Sequence, residues 1–322
     1  MQALVFDGTQ PLIDPQRATP KPPAGEALIR PQRMGVCSTD LEICRGYSQF
    51  TGVLGHEFVG VVEAVGRKSD ASWIGKRVVG NINCVNTVCD LVESGLRDHA
   101  RDRTVLGIVG RDGCFAESFL LPTDNLFEVP DHVDDDHAVF VEPLAAAFQI
   151  LRQLTVEGRP FITVLGDGRL GLLVAQVVNS LNATVRVVGK HEAKLRMCEK
   201  WGIKHRLLED VGLRQDQDIV IDCTGSPHGI ETAMAMVRPR GTIVMKTTTA
   251  PPKQPIDLSP LVIHEINLVG SRCGPFPDAI DALSSQSIDI ASLISKRMKL
   301  ADGVKALTVA NQPDVIKVLL DL

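Results

Sequence analysis

Between residues 161 and 178 the chain runs from an apolar stretch, FITVL, through Gly166, Gly168 and Gly171 into a second apolar stretch, LGLLVAQVV. Three glycines at this spacing, behind a strand pattern and ahead of a helix pattern, leave few folds open. The first glycine permits a tight turn, and the second lets backbone approach a pyrophosphate. The third lets helix and strand pack closely, with the helix N-terminus facing the anion. The spacing alone is weak. Its strength comes from context, because a further strand pattern, TVRVVG, follows and ends at Gly189. The motif predicts a dinucleotide site that uses Gly166, Gly168, Leu170 and Gly171.

The rhythm around the motif extends the prediction. EAKLRMCEKWG, QDIVIDCTG, HGIETAMAMV and GTIVMKTT alternate helix and strand patterns, and INLVGSRCG adds one more strand. Such alternation implies right-handed βαβ units on a parallel, doubly wound sheet. Ahead of it, GEALIRPQ, FVGVVEAVG and KRVVGNI read as short strands divided by turns, which is a β-rich domain. The expected division is residues 1–143 for a β-rich catalytic domain, 144–271 for the cofactor domain and 272–322 for a return to the first. Thr224, after QDIVIDC, and Arg272, after the last strand, are expected near the cofactor, with a domain-interface ion pair as the alternative for Arg272.

A dinucleotide fold commonly ends its second strand on Asp or Glu, which accepts from the ribose 2′-OH. This sequence has Gly189-Lys190-His191 there. Loss of the acid removes repulsion against a 2′-phosphate, and Lys190 could pair with one. NADP(H) is therefore expected over NAD(H), with solvated Lys190 and His191 and loose specificity as the alternative.

The bulk numbers exclude other classes. A net charge of −5 advertises no surface for nucleic acid or anionic lipid. No apolar run reaches the length of a membrane span, and MQALVFDG enters a strand pattern without signal character. Eight scattered cysteines suit reduced thiols and a cytoplasmic location.

Three fragments carry groups that zinc favours: GVCSTD with Cys37, Thr39 and Asp40; LGHEFVG with His56 and Glu57; and VFVEPLAAA with Glu142. Thiolate, imidazole and carboxylate are standard zinc ligands. Each fragment alone has an ordinary structural explanation, as a small buried thiol or a surface His–Glu pair.

In this order, with the glycine turn and the later VGSRCGPF, the fragments resemble the medium-chain, zinc-dependent alcohol dehydrogenase family across most of the chain. CSTDLEI and EPLA are closest to its polyol, threonine and glucose dehydrogenase branches. The resemblance implies a GroES-like β-rich domain followed by a Rossmann domain. It implies Cys37 and His56 as ligands of one catalytic zinc, Glu142 in the third position and Glu57 as an alternating ligand or neighbour. Asp40 would orient the His56 imidazole, and Thr39 would carry the proton. Zinc would act as a Lewis acid on an alcohol, polyol or sugar while hydride passes to the nicotinamide. A homodimer or homotetramer is expected.

Some positions depart from the family pattern. The four places of a second, structural zinc fall on Asn86, Cys89, Val92 and Ala100, so none is expected there, although Cys84, Cys89 and His99 could form another site. Glu42 stands where relatives carry a relay histidine, and either ends the relay or is a solvated helix residue. Tyr47 and Phe50 fall in a loop that the resemblance puts near the substrate, and Cys273 follows Arg272. A metal-free quinone or enoyl reductase and a non-catalytic NADPH-binding sensor are the competing readings.

Overall fold

The computed structural model describes residues 1–46, 49–85, 87–248 and 255–322. The chain divides into two compact units, one made of Met1–Glu142 with Phe276–Leu322 and the other of Pro143–Pro275. Phe276–Leu322, the tail of the chain, groups with the first unit.

In the second unit six strands form one parallel sheet. Its order across the sheet is Lys204–Leu207, Thr184–Gly189, Phe161–Leu165, Gln217–Asp222, Val237–Met245 and Asn267–Gly270. The first strand in sequence is thus third in space, and chain direction across the sheet reverses beside it. This is the doubly wound order, whose ligand crevice lies outside the carboxyl ends of the strands at that reversal. Central strands with both faces covered need apolar runs, which FITVL and Ile219, Val220 and Ile221 of QDIVID supply. The helix Arg169–Asn179 buries Leu172, Leu173, Val174, Val177 and Val178 against this sheet. On another face Val188, Val220, Ile230, Met234 and Ile243 form a single apolar cluster, each side chain contributing about 1.5–3 kcal/mol. Among the described residues, EAKLRMCEK is two short helices, Glu192–Leu195 and Met197–Lys200, rather than one.

The first unit is built on the antiparallel pair Glu26–Gly35 and Glu57–Val65, the centre of a seven-stranded sheet. The last strand, Lys317–Asp321, joins the far side of Glu26–Gly35 with Leu319 opposite Gly35, while Glu57 lies opposite Gly35 on the near side. Gly35 is thus flanked by the start of one strand and the last strand of the chain. Side chains two apart on a strand share a face, so Lys317 lies on the same face of its strand as Leu319. No described helix is long and apolar enough to cross a membrane.

Candidate metal centre and dinucleotide cradle

Cys37 precedes the helix Ser38–Cys44, and Asp40 in its first turn accepts from the Cys37 backbone N–H at 2.8 Å. That bond fixes the turn and leaves the half-buried thiol free to donate to Thr39 Oγ1 at 3.7 Å. His56 and Glu57 arrive from the strand opposite Gly35. Sγ of Cys37, a ring nitrogen of His56 and a carboxylate oxygen of Glu57 lie within 4.8 Å of one another, the group of this kind found among the described residues. Glu142 stands outside that set, half-buried in the first turn of the helix Val141–Gln153.

The centre is deeply buried. His56 is 3% exposed, and Asp40 and Glu57 are fully buried. His56 Nδ1 lies 3.4 Å from Asp40 Oδ1, close enough for charge attraction but not aligned as a hydrogen bond, so both atoms lack a hydrogen-bond partner. Burial alone would lower the His56 pKa. Asp40 and Cys37 outweigh it and hold the imidazole well above its ordinary value. Cys114 is buried nearby, and its Sγ donates to the Glu57 backbone carbonyl at 3.5 Å. Burial first, then Asp40 and Glu57, push this thiol well up.

One cation reaches the cluster that the sequence reading missed. Lys317 donates through Nζ to Glu57 Oε2, with both side chains 1% exposed, and its ammonium lies 5.4 Å from the Phe140 ring centroid. Gly35 makes the room, since a Cβ there would fall 2.4 Å from Glu57 Oε2 and 2.9 Å from Lys317 Cε. The available signal was a lone lysine inside the apolar run VIKVLL. Glu57 Oε1 keeps no partner. An imidazole among a thiol and two carboxylates, with three orphaned buried polar atoms, fits a dication of the zinc type, since a buried polar atom left unpaired is costly.

Other expected residues fall as follows. Arg45 donates to Glu42 at 2.5 Å and to Asn311 at 2.6 Å, so Glu42 is half of an ion pair on its own helix. Phe50 is buried and lines a small cavity with Phe6 and Cys44. Tyr47 and Asn86 lie outside the described residues. In the lobe after residue 80, Asn125 donates to the carbonyls of Asn81 and Asn83 at 2.6 and 2.9 Å and accepts from Arg97 at 2.8 Å. Cys84 is buried there against the Ile82 carbonyl, its thiol pushed up to about 11 chiefly by burial, and Cys89 begins a short helix.

The glycine turn of the second unit is built as a cradle. Gly166 adopts φ +107°, open to glycine at little cost. A Cβ on Gly171 would lie 2.0 Å from the Gly166 carbonyl, so helix and strand meet backbone to backbone. Gly168 caps the helix and would meet nothing within 4 Å, which leaves open space above the helix N-terminus. This geometry fits a pyrophosphate. Leu170 is half-buried beside it. Thr224 donates its backbone N–H and its hydroxyl to Asp222 Oδ1 at 2.9 and 2.7 Å, while burial raises the Asp222 pKa. Lys246 Nζ donates to the Arg272 carbonyl at 2.6 Å and to Ser271 Oγ at 3.0 Å, and the Arg272 side chain is exposed.

The strand end at 189 corrects one premise of the sequence reading. Residues 189–191 include no acid, but the Asp167 carboxylate stands there, accepting from the backbone N–H groups of Lys190 and His191. Lys190 itself is exposed.

The sequence model of the alcohol dehydrogenase GroES-like domain matches residues 23–131, and that of the zinc-binding dehydrogenase matches residues 170–285. The chain belongs to the zinc-dependent medium-chain alcohol dehydrogenase family. It is 25% identical to a sorbitol dehydrogenase of Halalkalibacterium halodurans, across 99% of each chain. An alcohol dehydrogenase, RspB, of Escherichia coli, solved with NADH, superposes with a TM-score of 0.91 at 25% identity, covering 100% of this chain and 99% of that one. A zinc-binding dehydrogenase of Sinorhizobium meliloti, solved with NADP, gives 0.88 at 25% identity and the same coverage.

Proposed function

We propose that the protein oxidises a small alcohol, polyol or sugar, and reduces the matching carbonyl, with a nicotinamide dinucleotide and one catalytic zinc. The observation that carries this reading is the buried Cys37–His56–Glu57 cluster with its orphaned atoms, in a chain that also carries the glycine cradle. Cys37 and His56 would hold the metal with Glu57 or Glu142 as the carboxylate ligand. Bound zinc supplies Lewis acidity toward a substrate oxygen.

The chain's own residues supply the rest. Asp40 fixes the Cys37 turn and stands 3.4 Å from His56 Nδ1, so one carboxylate lies against both donors. The Thr39 hydroxyl, next to the Cys37 thiol, would relay the alcohol proton, passing its own proton to water as it accepts one, with the reverse transfer in reduction. Lys317 restrains Glu57 on one oxygen and leaves the other for the metal. The glycine turn, with Leu170, holds the pyrophosphate, and Thr224 and Arg272 lie at the carboxyl ends of the strands where the rest of the cofactor belongs.

The preference for NADP(H) rested on the absence of an acid at 189–191, and Asp167 removes that basis. A single zinc is supported by the asparagine and arginine bonds that hold the lobe after residue 80. Self-association is supported by the sheet edge Asn267–Gly270, with Leu268 46% exposed near Val262 and Ile263, 81% and 71% exposed. Eight unbridged cysteines support a cytoplasmic location.

The test is a panel of simple alcohols, polyols, sugars and amino-alcohols assayed with NAD and NADP, on the wild type and on Cys37→Ser. At least one polyol or alcohol should turn over, and C37S should lose turnover while still binding dinucleotide. Alcohol oxidation by C37S at the wild-type rate would overturn the ligand assignment.

A further inference from the structure

The strand Thr184–Gly189 ends without an acid of its own, and an acid from elsewhere fills the place. Asp167 lies between the first two glycines of the turn. Its Oδ2 accepts from the backbone N–H of Lys190 at 2.8 Å and of His191 at 2.6 Å. A Cβ built on Gly189 would fall 2.4 Å from that oxygen and 2.5 Å from the carboxyl carbon. The carboxylate therefore occupies the volume into which a strand-end side chain would grow. An acid at 167 and a side chain at 189 exclude each other, so the bare glycine at 189 is the complement of Asp167.

We infer that Asp167 is the ribose-facing acid of this protein, delivered from the glycine turn, and that it selects NAD(H) against NADP(H). The inference rests on the dinucleotide reading above. Oδ2 uses both acceptor positions on the two backbone N–H groups, and Oδ1 faces His191 Nδ1 at 3.1 Å with a second acceptor position left. A ribose hydroxyl can donate to that position. A 2′-phosphate can only accept, and it brings negative charge against a carboxylate that is 6% exposed and little screened. The two backbone N–H groups that could grip a phosphate at this strand end are already bonded to Asp167. Lys190 is exposed, so its opposing charge is diluted by solvent.

Titration calorimetry of the zinc-loaded protein with NADH and with NADPH reads the two dissociation constants directly, without turnover. The wild type should bind NADH about ten-fold more tightly or better. Asp167→Ser should weaken NADH and tighten NADPH, moving the ratio of the two constants by about ten-fold or more. Lys190→Ala should leave that ratio within about two-fold. Tighter binding of NADPH by the wild type overturns the inference, and that result stands even where D167S does not fold. Equal weakening of both forms in a folded D167S also overturns it, since Asp167 would then only fasten the turn. A wild type that binds neither form overturns the dinucleotide reading and this inference with it; binding with the wrong order overturns the inference alone.

Discussion

Lys317, on the last strand of the chain, donates to Oε2 of Glu57, a carboxylate grouped with Cys37 and His56, and both partners are 1% exposed. The pair spans 260 residues of sequence. It gives a buried carboxylate at the candidate metal centre a buried partner, and it ties that centre to the C-terminal segment of the fold.

Removing one partner of a buried pair leaves the other uncompensated. Lys317→Met should cost about 3–5 kcal/mol of stability in metal-free protein, read by urea unfolding. The double variant with Glu57→Gln should recover much of that loss, because neither side then buries a lone charge. An unchanged unfolding midpoint in K317M would show that Glu57 does not depend on Lys317.

Asp40 meets the centre twice, at the Cys37 amide and at the His56 ring. Asp40→Asn should lower zinc affinity about 10–100-fold, measured by competition with a chromophoric chelator. Affinity equal to the wild type would assign Asp40 to capping its helix alone.

The glycines of the cradle should separate by what surrounds them. Gly171→Ala places a Cβ against the Gly166 carbonyl and should destabilise the second unit by about 1–3 kcal/mol in thermal or urea unfolding. Gly168→Ala meets open space, so it should cost about 1 kcal/mol or less in folding. It should still weaken NADH binding about ten-fold by filling the place of the pyrophosphate. Equal effects of the two variants on folding would contradict the cradle.

Burial, with Asp40 adding to it, pushes the half-buried Cys44 thiol up to about 11. Below that pH the group is protonated and poorly nucleophilic, and the thiolate grows as pH rises toward 11. At pH 8 about one molecule in a thousand carries the Cys44 thiolate. Alkylation followed by peptide mass spectrometry should therefore be slow at pH 8 and climb about ten-fold per unit. Reaction at pH 8 at the rate of a free thiol would contradict the burial of this side chain.

The parts legible in the sequence were those written over short stretches. The glycine turn, the apolar central strands and the fragments around Cys37 and His56 each announce themselves locally. Lys204–Leu207 and Ile294–Lys299 escaped notice because their side chains are largely solvated and carry no apolar run. Lys317 and Asp167 escaped for a different reason. Each acts on a residue that only tertiary pairing brings near, Lys317 through the flanks of Gly35 and Asp167 through the space left by Gly189. A lysine in an apolar strand and an acid inside a glycine turn are anomalies a sequence displays, but their partners are not in the same stretch of chain.

The central claim is a catalytic zinc at Cys37 and His56, and metal content measured alongside activity tests it most directly. Elemental analysis of the purified protein should find about one zinc per chain. Dinucleotide-dependent alcohol oxidation should disappear when a chelator strips the metal and return when zinc is restored. A metal-free preparation with undiminished turnover would contradict the account.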